Sequence, residues 1–295
     1  MKITFWGTRG SIPTPSTSTF ETQRYGGDTT CLSVESGDLL LILDAGSGLR
    51  LLGLDLLKRP RPLRATFLFS HLHWDHIQGF PFFMPAFYSE NSFRLLGPPL
   101  APNGSAEVCT LERALRRQQD DLSFPVTLED MSAGLAFGDL PAERLELVGA
   151  GVTLRIRWAP LKHPGGCYGY RIEEHREGRP PGIFAFCTDT ENGGELNPSV
   201  QSLAEGAAVL VHDAQYSPDE YVGKGGHDHI GWGHSTWAQA LEEAKAAGVP
   251  RLYLTHHDPL HDDSRLALLE REAAEAAQKD GIEVRAAAQF MSLEI

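Results

Sequence analysis

The chain has 295 residues, 41% of them apolar and 22% charged, an ordinary globular composition at a length where single cores stop growing, roughly 250–300 residues. Its formal charge of −13 argues against a broad phosphate-binding surface, because duplex or tRNA binding draws most of its affinity from clustered Lys and Arg. No stretch approaches the roughly 20 apolar residues of a membrane span, and residues 1–6 read as a strand instead of a secretory signal, so no membrane contact is expected and the cytoplasm is the expected compartment.

Along the chain, apolar strand-like runs occupy 39–43, 65–69, 153–156, 183–186, 208–211 and 252–254. Several end in a polar, ligand-capable residue: Asp44, Ser70-His71, Thr188-Asp189, His212-Asp213 and Thr255-His256-His257. Open α/β sheets build their sites in that place, beyond the carboxyl ends of buried strands. Helical patterns alternate with the runs at 104–119, at 236–247 with Ser235 as N-cap and Gly248 as stop, and at 264–279 ending at Gly281. Gly97-Pro98-Pro99 and Arg179-Pro180-Pro181-Gly182 punctuate loops, and no repeat stands out. The expected architecture is α/β, in one domain (1–295) whose two halves meet near residue 150. Cys31, Cys109, Cys167 and Cys187 show no Cys-x-x-Cys pairing and read as small hydrophobes in a reducing compartment.

The densest chemistry lies in His71-Leu72-His73-Trp74-Asp75-His76, directly after the run 65–69. Imidazole and carboxylate are preferred ligands of zinc and similar cations, and a turn after a strand can aim several side chains at one point. A solvated polar loop would account for one or two such residues, not four. Metal binding is therefore expected.

That hexapeptide resembles the signature of the metallo-β-lactamase fold superfamily, and further positions of its dinuclear members follow in order: His163 in Lys162-His163-Pro164, Asp189 in Thr188-Asp189-Thr190 and His256 in Thr255-His256-His257. The resemblance implies a four-layer αβ/βα sandwich holding two divalent metal ions, Zn2+ first, with Mn2+ or Fe2+ as alternatives. It assigns His71, His73 and His163 to one metal, Asp75, His76 and His256 to the other, and Asp189 to the space between them. His256 is preferred over His257 only for its place after Thr255. Asp44, in Asp44-Ala45-Gly46, resembles the family's structural aspartate and is expected to brace the ligand loop, with a turn or capping role as the alternative.

Gly233-His234-Ser235-Thr236 resembles the His-Ser-Thr segment of tRNA 3′-processing endonucleases (tRNase Z) and their small-substrate phosphodiesterase relatives, in which the histidine assists departure of the ester oxygen. Val211-His212-Asp213-Ala214-Gln215 looks like a variant of that group's His-Glu-Ala-Thr segment, with Asp for Glu and Gln for Thr; His212 is expected to be a structural hydrogen-bonding residue. Asp75 and His234 are the candidate catalytic residues: Asp75 to orient or deprotonate the attacking water, His234 to protonate the departing alkoxide.

The segment 81–140 carries no long Lys/Arg-rich insertion, and Arg113, Arg116 and Arg117 beside Asp120 and Asp121 read as a solvated face. The tRNA-processing relatives carry a basic arm there; its absence, together with the resemblance to the small-substrate members, implies a small phosphodiester, first a 3′,5′-cyclic nucleotide, with no extended nucleic acid. The resemblance also suggests a homodimer. A tRNA-type endoribonuclease is the first alternative, thioester or lactone hydrolysis the second, and a non-catalytic metal-bound sensor the last. Arg9 in Thr8-Arg9-Gly10 is a candidate phosphate contact, or else an exposed arginine in a tight turn. Residues 223–233, with His227 and His229, read as a substrate-facing lid or a solvated loop; His261 reads as a helix lead-in and His175 as surface.

Overall fold

The structure is a computed structural model that describes residues 1–100, 108–122, 124–224 and 226–295. The strands are β1 (Lys2–Gly7), β2 (Cys31–Ser36), β3 (Leu39–Leu43), β4 (Arg64–Leu68), β5 (Ser92–Gly97), β6 (Gly134–Asp139), β7 (Leu145–Gly149), β8 (Val152–Leu161), β9 (Cys167–His175), β10 (Gly182–Cys187), β11 (Val209–Asp213), β12 (Arg251–Thr255), β13 (Glu283–Ala286) and β14 (Ser292–Glu294). The helices are α1 (Leu49–Leu56), α2 (Trp74–Ile77), α3 (Leu111–Gln118), α4 (Pro198–Ala204), α5 (Pro218–Tyr221), α6 (Trp237–Ala246) and α7 (Asp263–Ala277).

Two seven-stranded mixed sheets form, in the orders β14-β1-β2-β3-β4-β5-β6 and β13-β12-β11-β10-β9-β8-β7. Each runs parallel in one half (β3 to β6; β10 to β13) and antiparallel in the other. The chain crosses between sheets at residues 140–144, and β14 returns to the first sheet beside β1.

Burial on both faces explains the unbroken apolar runs. In β3, Ile42 packs towards the helices while Leu41 and Leu43 pack between the sheets; in β10, Phe184 and Phe186 enter the inter-sheet core and Ala185 faces the helices of the second sheet. A strand covered on both sides cannot alternate apolar with polar. Helices α1 and α3 cover the first sheet, α4, α6 and α7 the second. The result is the four-layer αβ/βα sandwich.

Helix bounds differ from the sequence expectation. The pattern at 104–119 condenses to α3, which starts after Thr110, whose side chain accepts from Arg113 N; residues 104–107 lie outside the described residues. Thr236, not Ser235, caps α6, in a capping box with Gln239, because the Ser235 hydroxyl is spent on Thr190 O. Asp262 caps α7, which gives way to a 3₁₀ turn before Gly281. Three cysteines are buried and Cys109 is half-buried; all four are free thiols. Among the described residues, no helix is long and apolar enough to cross a membrane.

Candidate metal centre

The carboxyl ends of β3, β4, β8, β10, β11 and β12 converge at one edge of both sheets, and every candidate ligand follows one of them. After β4 the chain runs extended through His71 and His73, then turns into α2, so Asp75 and His76 sit on one short helical turn. Buried Asp44 fixes this loop. Its Oδ1 accepts from Ser70 N at 2.7 Å, and its Oδ2 accepts from Ser70 Oγ at 2.7 Å and His76 Nδ1 at 2.9 Å. The His76 Nε2 is thereby turned inward, 3.2 Å from Asp189 Oδ1 and 3.4 Å from Asp75 Oδ2.

All seven predicted ligand residues come together, in two groups. His71, His73 and His163 form the first, with ligand atoms within 4.8 Å of one another; Asp75, His76 and His256 form the second on the same measure. Asp189 lies between them: Oδ2 is 3.7 Å from His71 Nε2 and 3.2 Å from His256 Nε2, while Oδ1 faces His76. Outer hydrogen bonds aim the rings. His163 Nδ1 donates to Gly233 O at 2.9 Å, and His256 Nδ1 donates to Gln215 Oε1 at 3.1 Å. Ligating histidines are characteristically oriented in this way.

This donor set fits divalent cations. The buried His71 Nε2 has no hydrogen-bond partner, and imidazole nitrogens face one another at 3.0 Å (His163 Nε2 and His73 Nδ1) and 3.4 Å (His76 Nε2 and His256 Nε2). Lone pairs so opposed need a cation or a proton between them. Burial holds His71 well below the usual imidazole range, lowers His73 and brings His163 to about 4, which leaves three neutral ligands. Burial also opposes charge on His76 and His256, yet nearby carboxylates, Asp189 foremost, prevail: His76 is raised well above its ordinary value and His256 to about 9. Asp75 and Asp189 are held ionised against burial, Asp75 chiefly by His76 and Asp189 chiefly by His256.

His234 stands beside both groups. Its ring stacks on His256 with centroids 4.7 Å apart and lies 5.1 Å from that of His163. Its Nδ1 is 2.7 Å from Asp213 Oδ2. Asp213 is itself fixed by Ser235 N at 3.2 Å, Gln215 N at 3.1 Å and Thr190 N at 3.3 Å. The orienting roles of Asp213 and Gln215 escaped the sequence reading, which weighed His212 in that segment. The signal was present, as a carboxylate closing a buried strand. His212 is buried with Nδ1 2.7 Å from Asp213 O, a packing position.

Backbone strain gathers here. Among the described residues, Asp44 (φ 59°), Asp189 (φ 48°), His256 (φ 61°) and Ser11 (φ 62°) are four of the five non-glycine residues with positive φ, a conformation that persists only where surroundings enforce it. Ser11 N donates to Asp75 Oδ2 at 2.8 Å. Two glycines permit the close packing. A Cβ on Gly10 would lie 2.3 Å from His256 Nδ1, and one on Gly233 (φ 89°) 2.3 Å from His163 Nδ1.

Other candidates fall elsewhere. Arg9 is fully buried, with Nε donating to Gly26 O and Nη1 to the carbonyls of Asp258 and His261 while Nη2 has no partner among the described residues; sealed from the surface, it ties three loops together and is neither a phosphate contact nor an exposed turn residue. His257 turns inward, Nε2 donating to Ala287 O at 2.8 Å, and burial lowers it to about 3. His261 is more than a helix lead-in, being buried with Nε2 3.0 Å from Glu220 Oε1. His175 pairs with Glu173 at 3.1 Å on β9.

In the 223–233 loop, of which Gly225 is not described, His227 is exposed and His229 stacks on Tyr216 at 4.2 Å. Among the described residues neither joins a ligand group. The far end of this loop is fastened: Glu191 accepts from Gly231 N at 2.8 Å, Gly233 N at 3.0 Å and Tyr221 Oη at 2.5 Å. A cavity of about 530 Å³ opens onto His71 and His73, walled by Leu72, Ile77, Leu100 and Pro164. Arg117, exposed as expected of a solvated helix face, also borders this cavity, because Gln118 Nε2 ties the end of α3 to Ile77 O beside the ligand loop. Arg116 does face outward, paired with Glu112 and Glu129.

Residues 41–257, which include every candidate ligand, match the family model described as a β-lactamase superfamily domain. The chain belongs to this superfamily. Among its relatives, the ribonuclease BN of Escherichia coli (strain K12) is 27% identical, the match covering 92% of this chain and 94% of that protein. The ribonuclease Z of Lactiplantibacillus plantarum is also 27% identical, over 73% and 76% of the respective chains. Its fold is shared by the metallo-β-lactamase fold protein YhfI from Bacillus subtilis (TM-score 0.65, 19% identity, coverage 100% and 99%) and by a diphosphatase of the PhnP family (TM-score 0.65, 16% identity, coverage 100% and 97%). This superfamily member is a metal-dependent hydrolase with phosphodiesterase relatives.

Proposed function

We propose that the chain is a dinuclear metal-dependent phosphodiesterase acting on a small phosphodiester, with a 3′,5′-cyclic nucleotide as first candidate. The observation that carries this reading is His234, held by Asp213 at 2.7 Å against both ligand groups. A thioester expels a thiolate, a better leaving group than an alkoxide, and has less need of such an acid.

His71, His73 and His163 would hold one cation, Asp75, His76 and His256 the other, and Asp189 both. When bound, two divalent cations lower the pKa of a shared water and neutralise charge on the phosphoryl oxygens. Zn2+ is the first choice for this His/Asp set, with Mn2+ and Fe2+ next. Asp75, whose Oδ2 accepts from Ser11 N, would orient or deprotonate the attacking water. His234 donates a proton from Nε2 to the departing oxygen, and the Asp213 carboxylate stabilises the imidazolium that does so.

The net charge of −13 and the mostly apolar walls of the cavity favour a small substrate over an extended nucleic acid. One domain, active in the cytoplasm as a homodimer, completes the reading. The ribonuclease names of its relatives support a second one, a tRNA 3′-processing type of endoribonuclease. Assay of the metal-loaded protein on 3′,5′-cyclic AMP, bis(p-nitrophenyl) phosphate and a precursor tRNA separates the two. Turnover of the small esters with no salt-dependent affinity for tRNA supports the first; tight, salt-dependent tRNA binding with cleavage at the 3′ side replaces it with the second.

A further inference from the structure

The cavity beside His71 and His73 has a composition that the reacting phosphate does not require. Its walls are largely hydrocarbon, and the one cationic side chain among its described lining residues is Arg117. The chain has 39 acidic against 26 basic side chains. Arg116, next in sequence, is paired with two carboxylates, whereas Arg117 makes no ion pair with a described residue. The Arg117 side chain is exposed at the cavity edge, on a helix end that is itself anchored: Gln118 Nε2 donates to Ile77 O at 3.0 Å, which ties the end of α3 to the end of α2 and so to the ligand loop.

We propose that this cavity is a subsite for the part of the substrate that does not react, and that Arg117 takes a second anionic group carried there. The hydrocarbon walls accept the flat face of a nucleoside or a similar group, as small-molecule sites commonly do. A guanidinium suits a phosphate because its donors form a planar fork. The substrate class is a phosphodiester bearing a second phosphate on the same nucleoside-sized unit, which narrows the small phosphodiesters proposed above to phosphorylated ones and leaves a plain 3′,5′-cyclic nucleotide without a group for Arg117. This rests on the phosphodiesterase reading, and the experiment separates the two.

The test compares thymidine 5′-(p-nitrophenyl phosphate) with the same ester carrying a 3′-phosphate. It uses metal-loaded wild type, Arg117→Ala and Arg117→Lys, beside calorimetric binding of thymidine 3′,5′-bisphosphate and thymidine 5′-phosphate. The wild type should favour the 3′-phosphorylated ester by about tenfold through KM, as expected for a charge-assisted contact. Arg117→Ala should abolish the preference with kcat little changed, and Arg117→Lys should restore part of it. Equal KM values for the two esters in the wild type, or an undiminished preference in Arg117→Ala, overturns the proposal. If neither ester is cleaved but the bisphosphate binds about tenfold more tightly in an Arg117-dependent way, the subsite stands and the phosphodiesterase reading falls. If neither ester is cleaved and the two nucleotides bind alike, both fall.

Discussion

Asp213 Oδ2 lies 2.7 Å from His234 Nδ1 and thereby decides which nitrogen of His234 is presented to the ligand groups. The pair couples β11 to the segment before α6, 21 residues on. With Nδ1–H committed to the carboxylate, Nε2 is free for a leaving oxygen, and positive charge gained by the ring is offset by Asp213. Asp213→Asn keeps the shape but removes that charge. We expect kcat on 3′,5′-cyclic AMP, whose leaving group is an alkoxide, to fall by about 10–100-fold, below the general-acid range of about 10²–10⁴, with metal content unchanged by elemental analysis.

Asp44 makes a different kind of contribution, through the ligand loop. Asp44→Ala leaves Ser70 N, Ser70 Oγ and His76 Nδ1 without their common acceptor in a fully buried place. The expected cost is about 3–5 kcal/mol of stability and about 10–100-fold in metal affinity, measurable by denaturant unfolding and by competition with a chelator.

Gly233→Ala tests the close approach behind His163. The new Cβ would meet the His163 ring at 2.3 Å from Nδ1, at a φ that disfavours alanine. His163 must move, and His234 follows directly in the chain. Metal content should fall from two equivalents towards one, with activity lost.

Much of this site could be read from the sequence because the ligands cluster after buried strands, where a polar residue is conspicuous. Asp44, His71, Asp189 and His256 each stand within three residues of an apolar run. What could not be read depends on contacts across the fold. Ser11 N reaches Asp75 over 64 residues, and Gln215 reaches His256 over 41. Arg9 misled because a glycine-flanked arginine resembles a phosphate loop, whereas here it is buried among carbonyls. Arg117 was legible as an exposed residue, but not as a neighbour of the cavity, since only the packing of α3 brings it there.

Acid stability should depend on Glu174, far from the ligand groups. Burial alone would raise its pKa, but Arg176 at 3.2 Å, the Ser36 hydroxyl and the Met1 ammonium at 3.1 Å bring it down to about 2 from 4.5. A depressed carboxylate contributes stability above its unfolded pKa and loses it as pH falls through the folded one. Thermal melts should place Glu174→Gln below wild type at pH 7, and the gap should close between about pH 4.5 and 2. A gap independent of pH contradicts this assignment.

The most direct measurement pairs metal content with turnover of 3′,5′-cyclic AMP, which releases an alkoxide, and of bis(p-nitrophenyl) phosphate, which releases a phenolate that needs little help, in wild type and in His234→Ala. A dinuclear phosphodiesterase with His234 as acid requires two equivalents of metal in both proteins, turnover of both esters in the wild type, and a kcat on the cyclic ester lower by about 10²–10⁴-fold in the variant with a smaller loss on the phenyl ester. A fully loaded wild type that leaves both esters intact, or a variant that keeps the wild-type rate on the cyclic ester, contradicts it.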